Sequence, residues 1–395
     1  MRCSSTPPLL LLLLLAQACD GDPASPRDPA EQALATSTAA PAFTQVAAGA
    51  NHSCALTSDN RAWCWGSNEN GQLGTGDLTS WPRTPVPVAT ELRFVLIRAS
   101  YDFTCGLTTD ERAYCWGGNE FGQLGDGTTV ARPFPTKVAG DRRFRHLRAG
   151  FRHVCAVTYA NVGFCWGWNN QGQVGDGSTI TRRRPVRVAG GLAFTRVLPG
   201  GNYTCGVTTG EVAYCWGRND EGQLGDGTTT QRLVPRRVAT TRRFSHVTPG
   251  SGTTCAVTPV NVVFCWGWNR EGEVGDGTRT QRLTPARVLG DVRFSAASPG
   301  SSHVCGVSTD DRAYCWGFNA DGQLGDGSFT ESAAPIAVVG GHRFTAVSGG
   351  PLASHTCGVT PSHELYCWGL NSYGQLGDGT TDFRNVPVRV GEGSH

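Results

Sequence analysis

Charge of either sign, methionine and long apolar runs are all scarce in this sequence. Charged residues fill 17% of its 395 positions and the formal net charge is +2. No long-range field therefore steers the chain toward nucleic acid or an acidic surface, and no nucleic-acid partner is expected. Beyond residue 15 no stretch is apolar and long enough to span a bilayer as a helix. No segment keeps a 3.6-residue apolar period between caps, which argues against helices. Chemistry-bearing motifs are missing too. There is no Cys-x2-Cys spacing for zinc, no GxSxG turn for a nucleophile, and no glycine string ending in Lys-Ser/Thr ahead of a helix. Nucleophile, base and orienting group cannot be nominated, so no catalytic residue, metal or cofactor is expected.

Glycine, proline and cysteine are plentiful instead, at 53, 22 and 16 residues. That profile suits a turn-rich all-β chain, and so many cysteines point away from a reducing cytosol. The start of the chain agrees. Arg2, the apolar run Leu9 to Leu15 and Ala16-Gln17-Ala18 read as a signal peptide over residues 1–18. Cys19 then stands where a bacterial lipoprotein carries its lipid, although Ala16-x-Ala18 also suits an ordinary signal peptidase. Cys19 is also the one mature cysteine left outside the doublets described below, which favours lipidation. Membrane contact is expected only through that anchor. Residues 19–41, rich in Asp, Ala, Pro, Ser and Thr, cannot bury enough surface to order and read as a linker. The localisation that follows is extracytoplasmic, as an envelope lipoprotein or a secreted protein.

From residue 42 to 391 the chain repeats itself, leaving 392–395 as a tail. The first cysteines of seven doublets are Cys54, Cys105, Cys155, Cys205, Cys255, Cys305 and Cys357, with steps of 51, 50, 50, 50, 50 and 52. In the fourth copy four β-prone pieces can be read, Phe194–Leu198, Tyr203–Thr208, Val212–Trp216 and one around Val234–Val238, divided by turn-forming clusters. Four strands per copy, seven times, predict an all-β, seven-bladed propeller of antiparallel blades. The two chain ends are expected to meet in one closing blade, because closure removes exposed edges. Trp65, Trp116, Trp166, Trp216, Trp266, Trp316 and Trp368 recur at one position and should pack blade on blade.

The recurring string, CWGRNDEGQLGDG in the fourth copy and CWGFNADGQLGDG in the sixth, closely resembles the repeat of the regulator-of-chromosome-condensation family. The resemblance covers about 350 of 395 residues and implies a seven-bladed propeller. It implies less about activity, since the family includes nucleotide-exchange factors and secreted inhibitors of other proteins. Exchange depends on a cytosolic GTPase and a protruding insertion, and this chain has room for only two extra residues near Pro351.

Each doublet is Cys-x9-Cys. The pairs are Cys54/Cys64, Cys105/Cys115, Cys155/Cys165, Cys205/Cys215, Cys255/Cys265, Cys305/Cys315 and Cys357/Cys367. A turn of odd length would set the two sulfurs opposite each other, and export would oxidise them. The competing reading is buried thiols. His52, His153, His303 and His355 stand two residues before a cysteine, but Phe103, Tyr203 and Thr253 hold the equivalent places, so these read as packing histidines. The GDG carboxylates Asp126, Asp176, Asp226, Asp276, Asp326 and Asp378 read as turn elements, with Thr75 in the first copy.

In an up-and-down sheet the first and third connections leave on one face. Along them the frame is fixed while a few positions vary among aromatics and arginine, as a one-sided recognition face requires. The candidate partner-binding residues are Tyr101, Phe121, Phe151, Trp168, Arg218, Trp268, Phe318 and Tyr373. A monomeric, non-enzymatic scaffold that binds a protein, in an inhibitory or adhesive role, is the expected function. A carbohydrate-binding propeller is the alternative, because aromatic rings stack on sugars, and guanine-nucleotide exchange ranks below it.

Overall fold

A computed structural model describes residues 41–391. The expected signal peptide, Cys19, nearly all of the linker and the tail lie outside the described residues. Those that are described form 28 strands and no helix, arranged as seven four-stranded sheets whose strands follow chain order. All strand pairs are antiparallel. The fourth blade is typical, with strands Phe194–Pro199, Tyr203–Thr208, Ala213–Gly217 and Arg232–Arg237. The sequence boundaries fall within two residues of these.

Register follows from the hairpin between the second and third strands. Thr57 N–H donates to Arg61 O, leaving a three-residue loop with Asn60 at φ 65°. Such odd loops close with a left-handed residue, and Glu111, Asn161, Glu211, Asn261, Asp311 and His363 repeat the device. The two cysteines of each doublet therefore face each other directly. All seven doublets are joined as disulfides: Cys54 to Cys64, Cys105 to Cys115, Cys155 to Cys165, Cys205 to Cys215, Cys255 to Cys265, Cys305 to Cys315 and Cys357 to Cys367. Alternation then puts the disulfide on one face of the blade and tryptophan on the other.

On its other side the third strand is less regular than simple alternation implies. Cys165 pairs with Val186, Cys265 with Ala286 and Cys315 with Ile336, but the register to the outer strand shifts before Gly167, Gly267 and Gly317. The irregularity falls where those glycines take positive φ, and it leaves the sulfur pairing untouched. Cys165, Cys265 and Cys315 are fully buried between blades, so their role is to brace the hairpin and not to meet a partner.

The disulfide and tryptophan faces meet between blades. Cys105, Cys115 and Leu124 of blade 2 pack against Phe144, Leu147 and Trp166 of blade 3. Each of the seven indoles is fully buried. Six donate their N–H across the seam to the carbonyl of the residue before the Leu or Val of the preceding blade's glycine loop. Trp216 donates to Gln173 O at 3.0 Å and Trp266 to Gln223 O at 3.0 Å. The next glycine of that loop lies on the indole. A Cβ on Gly225 would sit 2.5 Å from Trp266 Nε1.

The chain ends do not share a blade. Blade 1 is built from Phe43–Pro87 and blade 7 from Ala346–Arg389. The ring closes face to face: Trp65 packs with Cys357, Cys367 and Leu376, and donates to Gln375 O at 2.9 Å. This corrects the expectation of a common closing blade. The seam between blades 7 and 1 matches the others, so no exchanged strand is needed to bury it.

Around each glycine loop the recurring polar frame satisfies backbone groups. Asn219 Oδ1 accepts from Leu224 N–H at 2.9 Å, and its amide donates to Thr228 O. Asp226 accepts from Thr228 N–H and from Arg232 Nε at 2.8 Å. In blade 1 Thr75 replaces the aspartate and Pro82, Pro85 and Pro87 remove donors, and the outer strand shrinks to Val86–Pro87.

Gly225→Ala tests the seam against Gly190→Ala, whose Cβ would meet nothing within 4 Å although its φ is also positive, at 89°. Urea unfolding of the oxidised protein should show a loss of about 1 kcal/mol at Gly190 and about 2–4 kcal/mol at Gly225. Equal losses would mean that the indole contact is irrelevant.

Candidate functional site

The first and third connections of each blade are tied together by backbone. Trp168 N–H donates to Arg152 O at 2.8 Å, Arg218 N–H to Asn202 O at 3.0 Å and Phe318 N–H to Ser302 O at 2.9 Å. The chain reaches this bond through a glycine at positive φ, Gly217 at 104° in blade 4, where a Cβ would strike Asn202 O and Tyr203. Variable side chains on both connections are thus delivered to one face.

On blades 2 and 3 they converge. Tyr101 and Phe151 meet edge to face with centroids 4.9 Å apart, Phe121 and Trp168 are 5.1 Å apart, and Phe151 and Trp168 are 6.1 Å apart. At the centre lies Arg152, its guanidinium carbon 4.5 Å from the Phe121 centroid, 4.9 Å from Phe151, 5.5 Å from Tyr101 and 5.9 Å from Trp168. Tyr101 is exposed, while Phe121, Phe151, Arg152 and Trp168 are half-buried. Asp102 lies beneath. Burial raises its carboxyl above the ordinary range, and the positive charge of Arg152 works against that rise. A cation among four rings presents a stiff, amphipathic surface at low entropic cost.

The other four candidates stand on the same face but apart from this cluster. Arg218 is held by Asp220 at 2.6 Å, Trp268 lies 4.7 Å under the Arg270 guanidinium, and Tyr373 packs on Trp81 of blade 1 at 5.6 Å. Phe318 takes the equivalent position in blade 6 and is half-buried. Sequence reasoning missed Arg152, Arg270 and Trp81. Only the adjacency of Arg152 to Phe151 could have pointed to the first of them.

Four buried histidines bond across the seams through Nε2. Thr104 Oγ1 gives its one proton to Gln72 O at 2.8 Å, so His52 Nε2, 2.9 Å away, must donate to Thr104. The ring is neutral, and burial pushes its pKa down to about 3. His153 meets Thr204, His303 meets Thr356, and His355 reaches Ser53 across the closing seam.

A fixed turn frame, stacked blades and a variable face together match one known repeat. A family model described as the RCC1-like domain covers residues 16–354, and RCC1 repeat models cover 344–375 and 362–395. The chain belongs to the RCC1-like domain family. This RCC1-like chain is similar to the ultraviolet-B receptor UVR8 of Arabidopsis thaliana, at 33% identity over 94 residues, which is 24% of this chain and 21% of that protein. The chain therefore matches about a fifth of that relative's length. Among solved structures it is similar to Prp20p of Saccharomyces cerevisiae, with TM-score 0.75 and 20% identity, covering 85% of this chain and 87% of the other. It is also similar to the ectodomain of the Arabidopsis thaliana receptor kinase ACR4, with TM-score 0.54 and 18% identity over 89% and 99% of the two chains. At these identities the two structures establish the common fold.

Blade 5 departs from the frame where Glu273 replaces glutamine. Its Oε2 accepts from Glu271 N–H at 3.0 Å, and burial pushes its pKa up to about 7. The folded state therefore holds this proton more tightly than the unfolded chain, whose glutamate titrates near 4.5. Stability falls as pH rises from about 4.5 through about 7. Glu273→Gln should match the parent in thermal unfolding near pH 4.5 and exceed it by about 1–3 kcal/mol at pH 8. A pH-independent difference would refute this assignment.

Proposed function

We propose that this RCC1-like propeller is an exported protein-binding scaffold that grips an envelope or secreted protein through the Arg152-centred aromatic face. The observation that carries this reading is the convergence of Tyr101, Phe121, Phe151 and Trp168 on Arg152. Aromatic and arginine side chains dominate binding energy at protein interfaces, and here all but the exposed Tyr101 are half-buried in the free chain, so little entropy remains for them to lose. Seven disulfides support an oxidising compartment. Prp20p is described by its binding to Gsp1p and histones, and the ACR4 propeller is an ectodomain. Protein binding and an extracellular setting both have precedent on this fold. Arg218, Trp268, Phe318 and Tyr373 extend the same face around the ring and set which partner fits. The outcome of binding is inhibition of, or adhesion to, that partner.

The test uses the oxidised chain as bait for culture supernatant and envelope extract, with each captured protein then titrated in purified form. Arg152→Ala combined with Trp168→Ala should weaken binding at least about 30-fold, the effect of losing one or two hot spots. Val260→Ser, at an exposed residue on the opposite connection, should leave it intact. Undiminished binding by the double variant would eliminate this face.

A further inference from the structure

The first strands of the seven blades line a central channel of about 370 Å³. Residues of each of these strands border it. In blades 6, 7 and 1 these include Ala296, Ala346 and Ala47, whereas blades 2 to 5 contribute Arg98, Arg148, Arg196 and His246. No aspartate or glutamate lines the channel among the described residues. Positive charge is therefore gathered on three consecutive blades, 2 to 4, of a chain whose formal net charge is only +2.

These cations lack the partners that arginines elsewhere have. On the outer strands Arg132, Arg182, Arg232, Arg282 and Arg384 each pair with the aspartate of their own loop. In the channel Arg98 donates to its neighbour Ile97 O at 2.7 Å and Arg148 to Leu147 O at 3.2 Å, contacts that leave the charge uncompensated. Arg98 Nε and both ring nitrogens of the adjacent His146 have no hydrogen-bond partner. None of the three channel arginines has an ion pair among the described residues. Burial, and then the charges of Arg98 and Arg196, pull the Arg148 guanidinium well below its ordinary value. Burial likewise lowers His246, helped by Arg196 and Arg148. A guanidinium does not shed its proton near neutral pH, so the repulsion is relieved only by a counter-anion.

We propose that the central channel is a binding site for a small multivalent oxyanion of the phosphate class, held between Arg98, Arg148 and Arg196. Guanidinium groups suit this geometry because they donate in pairs to tetrahedral oxyanions. The channel volume admits an anion of a few heavy atoms with its water, and excludes a folded partner or a duplex. This site is separate from the aromatic face and does not depend on it.

Calorimetric titration of the oxidised chain with inorganic pyrophosphate, at ionic strength balanced with sodium chloride, tests the site. Saturable one-to-one binding is expected, weakened at least about tenfold by Arg98→Gln combined with Arg148→Gln. Without anion this variant should unfold at a higher temperature than the parent, because repulsion is removed, and it should lose the stabilisation that pyrophosphate gives the parent. Arg196→Gln alone provides the same comparison should the double variant fail to fold. Glycerol phosphate forms the second arm. Binding of pyrophosphate alone assigns a free anion, and binding of the ester alone assigns a phosphorylated ligand. Binding of neither, or equal binding by parent and variants, overturns the proposal.

Discussion

One contact repeated seven times organises this molecule: an indole on the third strand of a blade seated beneath a glycine of the preceding blade's loop. Each ring removes on the order of 150–250 Å² from water, about 5 kcal/mol before entropy is counted. The contact also selects direction, since in six seams the indole N–H finds the carbonyl of the residue before Leu or Val. At the remaining seam Trp116 Nε1 has no acceptor, and the Gln72 carbonyl serves Thr104 alone. Glycine is required at this position for two independent reasons, a positive φ and the absence of room above the ring. Disulfides such as Cys155 to Cys165 and Cys255 to Cys265 stiffen each blade from within, but they close only short hairpins. The wedge between blades makes seven hairpin sheets one disc.

Because that frame is satisfied internally, the positions between its fixed residues are free to vary. Leu224 N–H, the Thr228 backbone and the Asp226–Arg232 pair are all engaged within the loop, whatever follows Trp216-Gly217. Arg218, Trp168 and Trp268 can therefore stand at equivalent places without altering the fold, which allows recognition to be built on one face. The channel shows the same freedom on the inner strands, where Arg148 and Ser298 occupy equivalent positions.

Much of this could be read in the sequence. The fifty-residue period, the Trp-Gly frame and the four β-prone pieces per copy specify blade number and strand order. Opposed cysteines required an odd hairpin loop, and the left-handed Asn60 supplies it. The slipped register after Cys165, Cys265 and Cys315 was not legible, because it lies between the third strand and an outer strand some fifteen residues further on. Other features depend on neighbours brought together from separate connections or separate blades. Arg152 reads as a solvated loop residue until Phe121 and Trp168 are brought over it, and Arg98 reads as an ordinary strand residue until Arg148 and Arg196 share its channel. The expected shared closing blade is absent for a related reason. Edge protection needs no exchanged strand, because Trp65 on Gln375 and Ser53 on His355 seal the ring face to face.

Whether all seams are equivalent, the closing one included, is the most direct question to put to the molecule. Trp65→Phe and Trp216→Phe each delete one indole N–H, in the closing seam and in an internal seam. Both should lower the thermal unfolding midpoint of the oxidised chain by a similar amount, corresponding to about 1–3 kcal/mol. A marked loss from Trp216→Phe with none from Trp65→Phe would mean that the ring is open between blades 7 and 1.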